Sequence, residues 1–210
     1  AAVKAAQAAY DALSAEQKQL VNREKVAALN AAVTKLAELK REKLLTEMER
    51  IYASVGESLQ AQVSKSAPIV GSIGGEWLAL GLARSGRTVP AGYYDNVLKY
   101  VKENIRSDGR LDRTKTTENS RIILALTAIG KDPTDVAGHN LLDGLYNMKD
   151  CLNRQGINAP VFALIALDSH NYTPTHSDVT RDNLIELILS DQVKADGGWA
   201  LEGAAAKGSD

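Results

Sequence analysis

A single cysteine, Cys151, among 210 residues excludes an intrachain disulfide and any cysteine-rich metal cluster. No apolar run approaches the roughly 20 residues needed to cross a bilayer, so membrane insertion is not expected. Charge of one sign is missing too: 25 basic and 26 acidic side chains, dispersed along the chain, leave a net charge of −1. That balance provides no footprint for nucleic acid or an anionic membrane. The opening residues Ala1-Ala2-Val3-Lys4 lack the charged and apolar regions of a signal peptide. The chain is therefore expected to be cytoplasmic or an excised piece of an exported protein. What is present is ordinary for a globular domain, 44% hydrophobic and 24% charged residues in a chain long enough to bury a core.

Residues 1 to 40 contain neither glycine nor proline and are rich in alanine, which reads as helix throughout. Ser14 followed by Gln17 is a capping-box pattern, so one helix should stop near Leu13 and another begin at Ala15. Asn22 is placed to cap a third. From Val26 the apolar residues fall at Leu29, Val33, Leu36, Leu44, Met48, Ile51, Val55 and Leu59. This three-four spacing predicts one helix from about Glu24 to about Val63, ended by Lys65-Ser66-Ala67-Pro68.

The segment Glu118 to Gly130 recurs before and after itself, as Glu76 to Gly86 and as Val161 to His170. Gly86, Gly130 and His170 stand 44 and 40 residues apart (130 − 86 = 44; 170 − 130 = 40), the spacing of a helical-hairpin repeat. These segments are apolar nearly all round and are expected to be buried on every side, as inner helices. Between them lie segments with one apolar stripe: Val97, Leu98, Val101 and Ile105, then Leu141 to Leu152, then Leu184, Ile185, Ile188 and Leu189. They read as outer helices. Gly109, Gly156 and Gly197 follow the outer segments at matching places and suit left-handed turns.

Gly71 to Trp77, Ala125 to Pro133, Ala163 to Asp168 and Gln192 to Trp199 resemble the α/α-toroid repeats of terpenoid cyclases and protein prenyltransferases. They are most similar to the repeats in surface proteins of Gram-positive bacteria. The resemblance covers about Leu44 to Asp210, and Gln192-Val193-Lys194-Ala195-Asp196-Gly197-Gly198-Trp199 fits the family's Gln-x(2–5)-Gly-x-Trp pattern. The fold it implies is all-α: a helical spacer over residues 1–40, running into a long helix, then an α/α toroid over 41–210. Family rings have six hairpins and this chain offers about three, so the expectation is a partial ring, truncated at its C-terminus. The apolar flank of the last hairpin would then lack a neighbour and favour self-association.

In such toroids the ligand cavity opens at the N-terminal ends of the inner helices, where free N–H groups and helix dipoles converge. The residues at those ends are Glu76 and Trp77, Glu118 and Arg121, and Asn158, which form the candidate cavity mouth. A structural reading stands beside it: the two glutamates as favourable first-turn acids, Arg121 pairing with one of them, and Trp77 in the core. The aspartate clusters of terpenoid cyclases are missing from the chain. Asp150 and Cys151 are adjacent rather than spaced as in prenyltransferase zinc sites, so Cys151 reads as a small buried hydrophobe. His139, His170 and His176 fall in loops, with nothing in the sequence to make them converge on a metal. Gly81 to Thr88 mimics a phosphate loop but ends a helix, which excludes that use. Tyr93 and Tyr94, with Trp199, are candidates for a sugar-stacking platform or for helix staples.

The resemblance thus implies a non-catalytic module of an extracellular surface protein that binds a ligand or a cell-surface protein, without metal or cofactor. Its alternatives are capture of a corrinoid-like small molecule in the toroid cavity, or a divergent isoprenoid-processing enzyme.

Overall fold

The structure, a computed structural model, describes residues 1–152, 154–173, 179–201 and 203–209, with Ile73 described by its backbone alone. Among the described residues every regular element is helical: nine α-helices and two short 3-10 turns. None of these helices is long and apolar enough to cross a membrane. The chain divides into two compact units, Ala1–Glu57 and Ser58–Asp210.

The N-terminal unit holds α1 (Ala2–Asp11), α2 (Ala15–Leu20) and most of α3 (Arg23–Val63). The capping box forms as its residues dictate: Ser14 Oγ accepts from the Gln17 amide at 3.2 Å, and Gln17 Oε1 accepts from the Ser14 amide at 2.8 Å. Asn22 Oδ1 accepts from the amides of Glu24 and Lys25 at 2.8 and 3.3 Å and so starts α3. At 1.5 Å per residue, the 41 residues of α3 extend about 60 Å. Strong helix formers fill it, and i,i+3 ion pairs such as Lys35–Glu38 and Glu47–Arg50 add a few tenths of a kcal/mol each. Burial adds little here: no apolar side chain before Val63 is fully buried.

The C-terminal unit contains α4 (Ile73–Arg84), α5 (Gly92–Asn104), α6 (Thr116–Ala128), α7 (Leu141–Tyr146), α8 (Asn158–Asp168) and α9 (Arg181–Ser190). Helix α6 is its centre, packing on α4, α7 and α8, while α9 packs on α8. Ile122, Ile123, Ala125 and Leu126 of α6 are wholly buried, together with Val97 and Val101 of α5, Leu141 of α7, Leu167 of α8 and Leu184 of α9.

The three inner segments end alike. The amides of Arg87, Lys131 and Tyr172 bond the carbonyls of Leu82, Leu126 and Leu167 at 2.9, 2.9 and 2.8 Å. The residue before each donor has positive φ: Gly86 at 71°, Gly130 at 70°, Asn171 at 53°. This is the left-handed helix cap, which glycine adopts freely and asparagine tolerates. The equivalent of Gly130 in the third segment is therefore Asn171 rather than His170, and the intervals are 44 and 41 residues (171 − 130 = 41).

Two expectations about packing are corrected. Only α6 is buried on nearly every side; Leu78 and Leu80 of α4 are half-buried, and Ile165 of α8 is 45% exposed. Helix α6 lies between α4 and α8, which covers both of its flanks. The segment Leu141 to Leu152 is also not one outer helix. It is α7 followed by a 3-10 turn, Lys149–Cys151, with Leu141, Leu142, Leu145, Met148, Cys151 and Leu152 all buried.

Candidate functional site

The N-terminal parts of α4 and α6 bring Glu76, Glu118 and Arg121 into one cluster. Arg121 donates from Nη2 to Glu118 Oε2 at 2.7 Å, and its Nε lies 3.4 Å from Glu76 Oε2. The guanidinium therefore meets both acids rather than one. Glu76 Oε1 accepts from the Gly71 amide at 2.7 Å. Gly71 has φ of 77°, and a Cβ there would lie 2.4 Å from the Tyr100 ring, so this turn needs glycine on both counts.

The cluster lies largely out of solvent. Glu76 has no exposed surface and Arg121 keeps 7%. Burial raises the Glu76 carboxyl above its ordinary range, opposed by the Gly71 amide and the Arg121 charge. Tyr93 is fully buried as well, and burial followed by the Glu76 charge raises its phenol far above the usual value. Glu76 Oε2, Tyr93 OH, Thr116 Oγ1 and Arg121 Nε are buried without a hydrogen-bond partner among the described residues. The 3.4 Å approach of Nε to Oε2 is thus a charge contact and not a formed hydrogen bond. Chemically the cluster is a carboxyl favoured toward its protonated form, held beside a guanidinium and a phenol.

The other two candidate residues stand apart from that cluster. Trp77 is half-buried and tilts against Phe162 of α8, with ring centroids 5.5 Å apart. With the caps aligned, Trp77, Arg121 and Phe162 are equivalent positions, separated by the same 44 and 41 residues (121 − 77 = 44; 162 − 121 = 41). Asn158 is exposed as the first residue of α8.

Asn119, which no sequence motif singles out, organises the loops behind this cluster. Its Oδ1 accepts from the Leu111 amide at 2.9 Å, and its Nδ2 donates to the carbonyls of Gly109 and Leu141, both at 2.9 Å. The side chain reaches them because Gly144 has none; a Cβ there would lie 2.1 Å from Asn119 Nδ2. Glycine inside a helical pattern was the available signal, since it marks close backbone approach.

A recess also opens at the C-terminal ends of α6 and α8, lined by Thr127, Gly130, Lys131, Asp132, His170 and Tyr172. Thr127 Oγ1 and Tyr172 OH lie 3.0 Å apart across it. Asp132 is held below its usual range, chiefly by the Thr134 hydroxyl.

The remaining candidates resolve one by one. Cys151 is buried, with Sγ 3.4 Å from Asp150 Oδ2 and 3.7 Å from Arg110 Nη1. Among the described residues, no group of three or more His, Cys, Asp or Glu could hold a metal ion. His139 and His170 are exposed in loops, and His176 lies outside the described residues. The platform of Tyr93, Tyr94 and Trp199 is corrected, because Tyr93 is fully buried and Trp199 donates from Nε1 to the Ile188 carbonyl at 2.7 Å. Compared with models of protein families, with curated proteins and with solved structures, the chain matches none.

Proposed function

We propose that this chain is a non-catalytic binding module of a bacterial surface protein, built on α/α-toroid hairpins, that takes a protein partner on the apolar side chains exposed on α8, α9 and the segment after them. The observation that carries this reading is where large apolar side chains meet water. In the C-terminal unit, Ile165, Ile185, Leu189, Trp199 and Leu201 are 36% to 58% exposed, all on α8, α9 or the segment after them. Ile69 is the other large hydrophobic residue there that is comparably exposed, among the described residues. Concentrated apolar exposure, with an indole included, is the composition of a protein-binding surface. The like caps at 44- and 41-residue intervals support the hairpin-repeat reading.

The test is a photo-crosslinking side chain at position 189, with one at exposed Lys149 as control, in the chain displayed on Gram-positive cells. Defined protein adducts at 189, absent at 149 and lost with Trp199→Ala, are the expected result. No adduct at 189, with a corrin retained through gel filtration, would replace this reading by small-molecule capture. No adduct, with stoichiometric zinc lost in Cys151→Ala, would replace it by an isoprenoid-processing enzyme.

A further inference from the structure

In the N-terminal unit, α3 carries a seam of Leu44, Met48, Ile51 and Val55, spaced by four, three and four residues, which is the period of a coiled coil. These side chains are 60%, 56%, 49% and 51% exposed. The seam differs from the earlier part of the helix, where Val33 and Leu36 are half-buried and share a recess with Val3 and Ala8 of α1.

We propose that this seam docks against the same seam of a second copy of the chain, with the two helices antiparallel. Two features of the sequence favour this occupant. The first is register. Placing Met48 against the partner's Ile51 also places Leu44 against the partner's Val55, and the two-fold axis generates the reverse pairings. Each of the four rungs then sets one large apolar side chain against another, and Leu45 and Tyr52, exposed as well, flank the seam on one side. The second is charge. Lys40, Arg41, Glu42 and Lys43 at one end of the seam carry a net +2, Glu57 at the other end carries −1, and Glu47, Glu49 and Arg50 lie around its middle. Antiparallel helices lay the basic end of each along the end of the other that carries Glu57, with Lys40 and Lys43 beside the partner's Glu57. Glu47 and Arg50 of the two copies alternate around the axis. Parallel helices would set each charge level with itself, which is repulsive at every one of these positions. In the antiparallel arrangement Glu49 is a like pair, on the other side of the seam. The opposed helix dipoles favour the antiparallel arrangement as well.

Sedimentation equilibrium on the full chain tests the proposal, with far-UV circular dichroism to confirm that each variant keeps its helix. These side chains are exposed in the single chain, so their substitution removes no internal packing. A dimer is expected, and Ile51→Glu, which places a charge in two rungs at once, should weaken it by roughly a hundredfold or more. Lys40→Glu with Lys43→Glu in one chain, and Glu57→Lys in another, should each self-associate less than the wild type. Mixed, the two should form a heterodimer of near wild-type affinity, because every reversed charge then meets its opposite. Three results would overturn the proposal: a monomer at roughly 0.1 mM; a dimer that Ile51→Glu leaves intact and Leu189→Asp abolishes; or charge variants that show no preference for each other.

Discussion

Ten of the eleven positions from Thr116 to Leu126 in α6 are buried, whereas in α3 every residue from Lys40 to Val55 is exposed. Both stretches are helical, and the reasons differ. Eleven of the sixteen residues in the α3 stretch, all but Thr46, Ile51, Tyr52, Ser54 and Val55, are strong helix formers, and the Glu47–Arg50 pair adds to them. The α6 stretch includes Thr116, Thr117, Asn119, Ser120, Ile122 and Ile123, which are mediocre or poor helix formers, and it is helical because its surroundings require it. A helix held by propensity loses little when one contact is removed. A helix held by packing and polar satisfaction loses a great deal.

The contrast is open to attack by substitution. The largest effect is expected for Arg121→Met, which removes the guanidinium shared by Glu118 and the fully buried Glu76. Breaking a buried pair from one side costs about 3–5 kcal/mol, read as a lower midpoint in urea denaturation. Next comes the pair Leu126→Ala and Leu44→Ala, the same chemistry in the two regions. The first removes a fully buried side chain and should cost about 3 kcal/mol. The second should be close to neutral at protein concentrations where the chain is monomeric, and equal costs for the two would break the comparison. Ser14→Ala removes the capping box and should cost the N-terminal unit about 1 kcal/mol, seen as lost helicity without a change in the main unfolding transition.

The smallest effect concerns pH. The folded state holds the Glu76 proton more tightly than the unfolded chain, because burial raises its pKa. Above the ordinary glutamate value the folded state therefore binds more protons, and stability falls as pH rises through the raised value. Asp112, Asp132 and Asp168, whose values are lowered, act in the opposite direction. The informative quantity is thus the difference between the wild type and Glu76→Gln. The variant should gain stability relative to the wild type as pH rises from about 4.5, and a flat difference would show that the carboxyl is not held as its burial implies.

What could be read in advance follows the same division. The ends of α3, the Ser14 box and the Asn22 cap depend on residues within a few positions of one another, and the sequence states them directly. The interval between like caps is visible because Gly86 and Gly130 mark two of them, but the third cap uses Asn171, which tolerates positive φ without announcing it. The role of Asn119 depends on Gly109 and Gly144, neighbours in space: a glycine inside a helical pattern marks a close approach without saying which side chain makes it. In the candidate site the glutamates were legible as first-turn acids and Arg121 as a partner for one of them. That one guanidinium serves both acids, with Tyr93 buried in its field, depends on how α4, α5 and α6 pack.

Hydrogen exchange at low protein concentration, read by mass spectrometry, tests the central contrast most directly. Peptides spanning Ser120 to Leu126 should exchange only through global unfolding of the C-terminal unit, whereas those from Lys40 to Val55 should exchange orders of magnitude faster through local opening. Equal protection of the two stretches under those conditions would contradict the account, because α3 would then be held by something other than its own propensity.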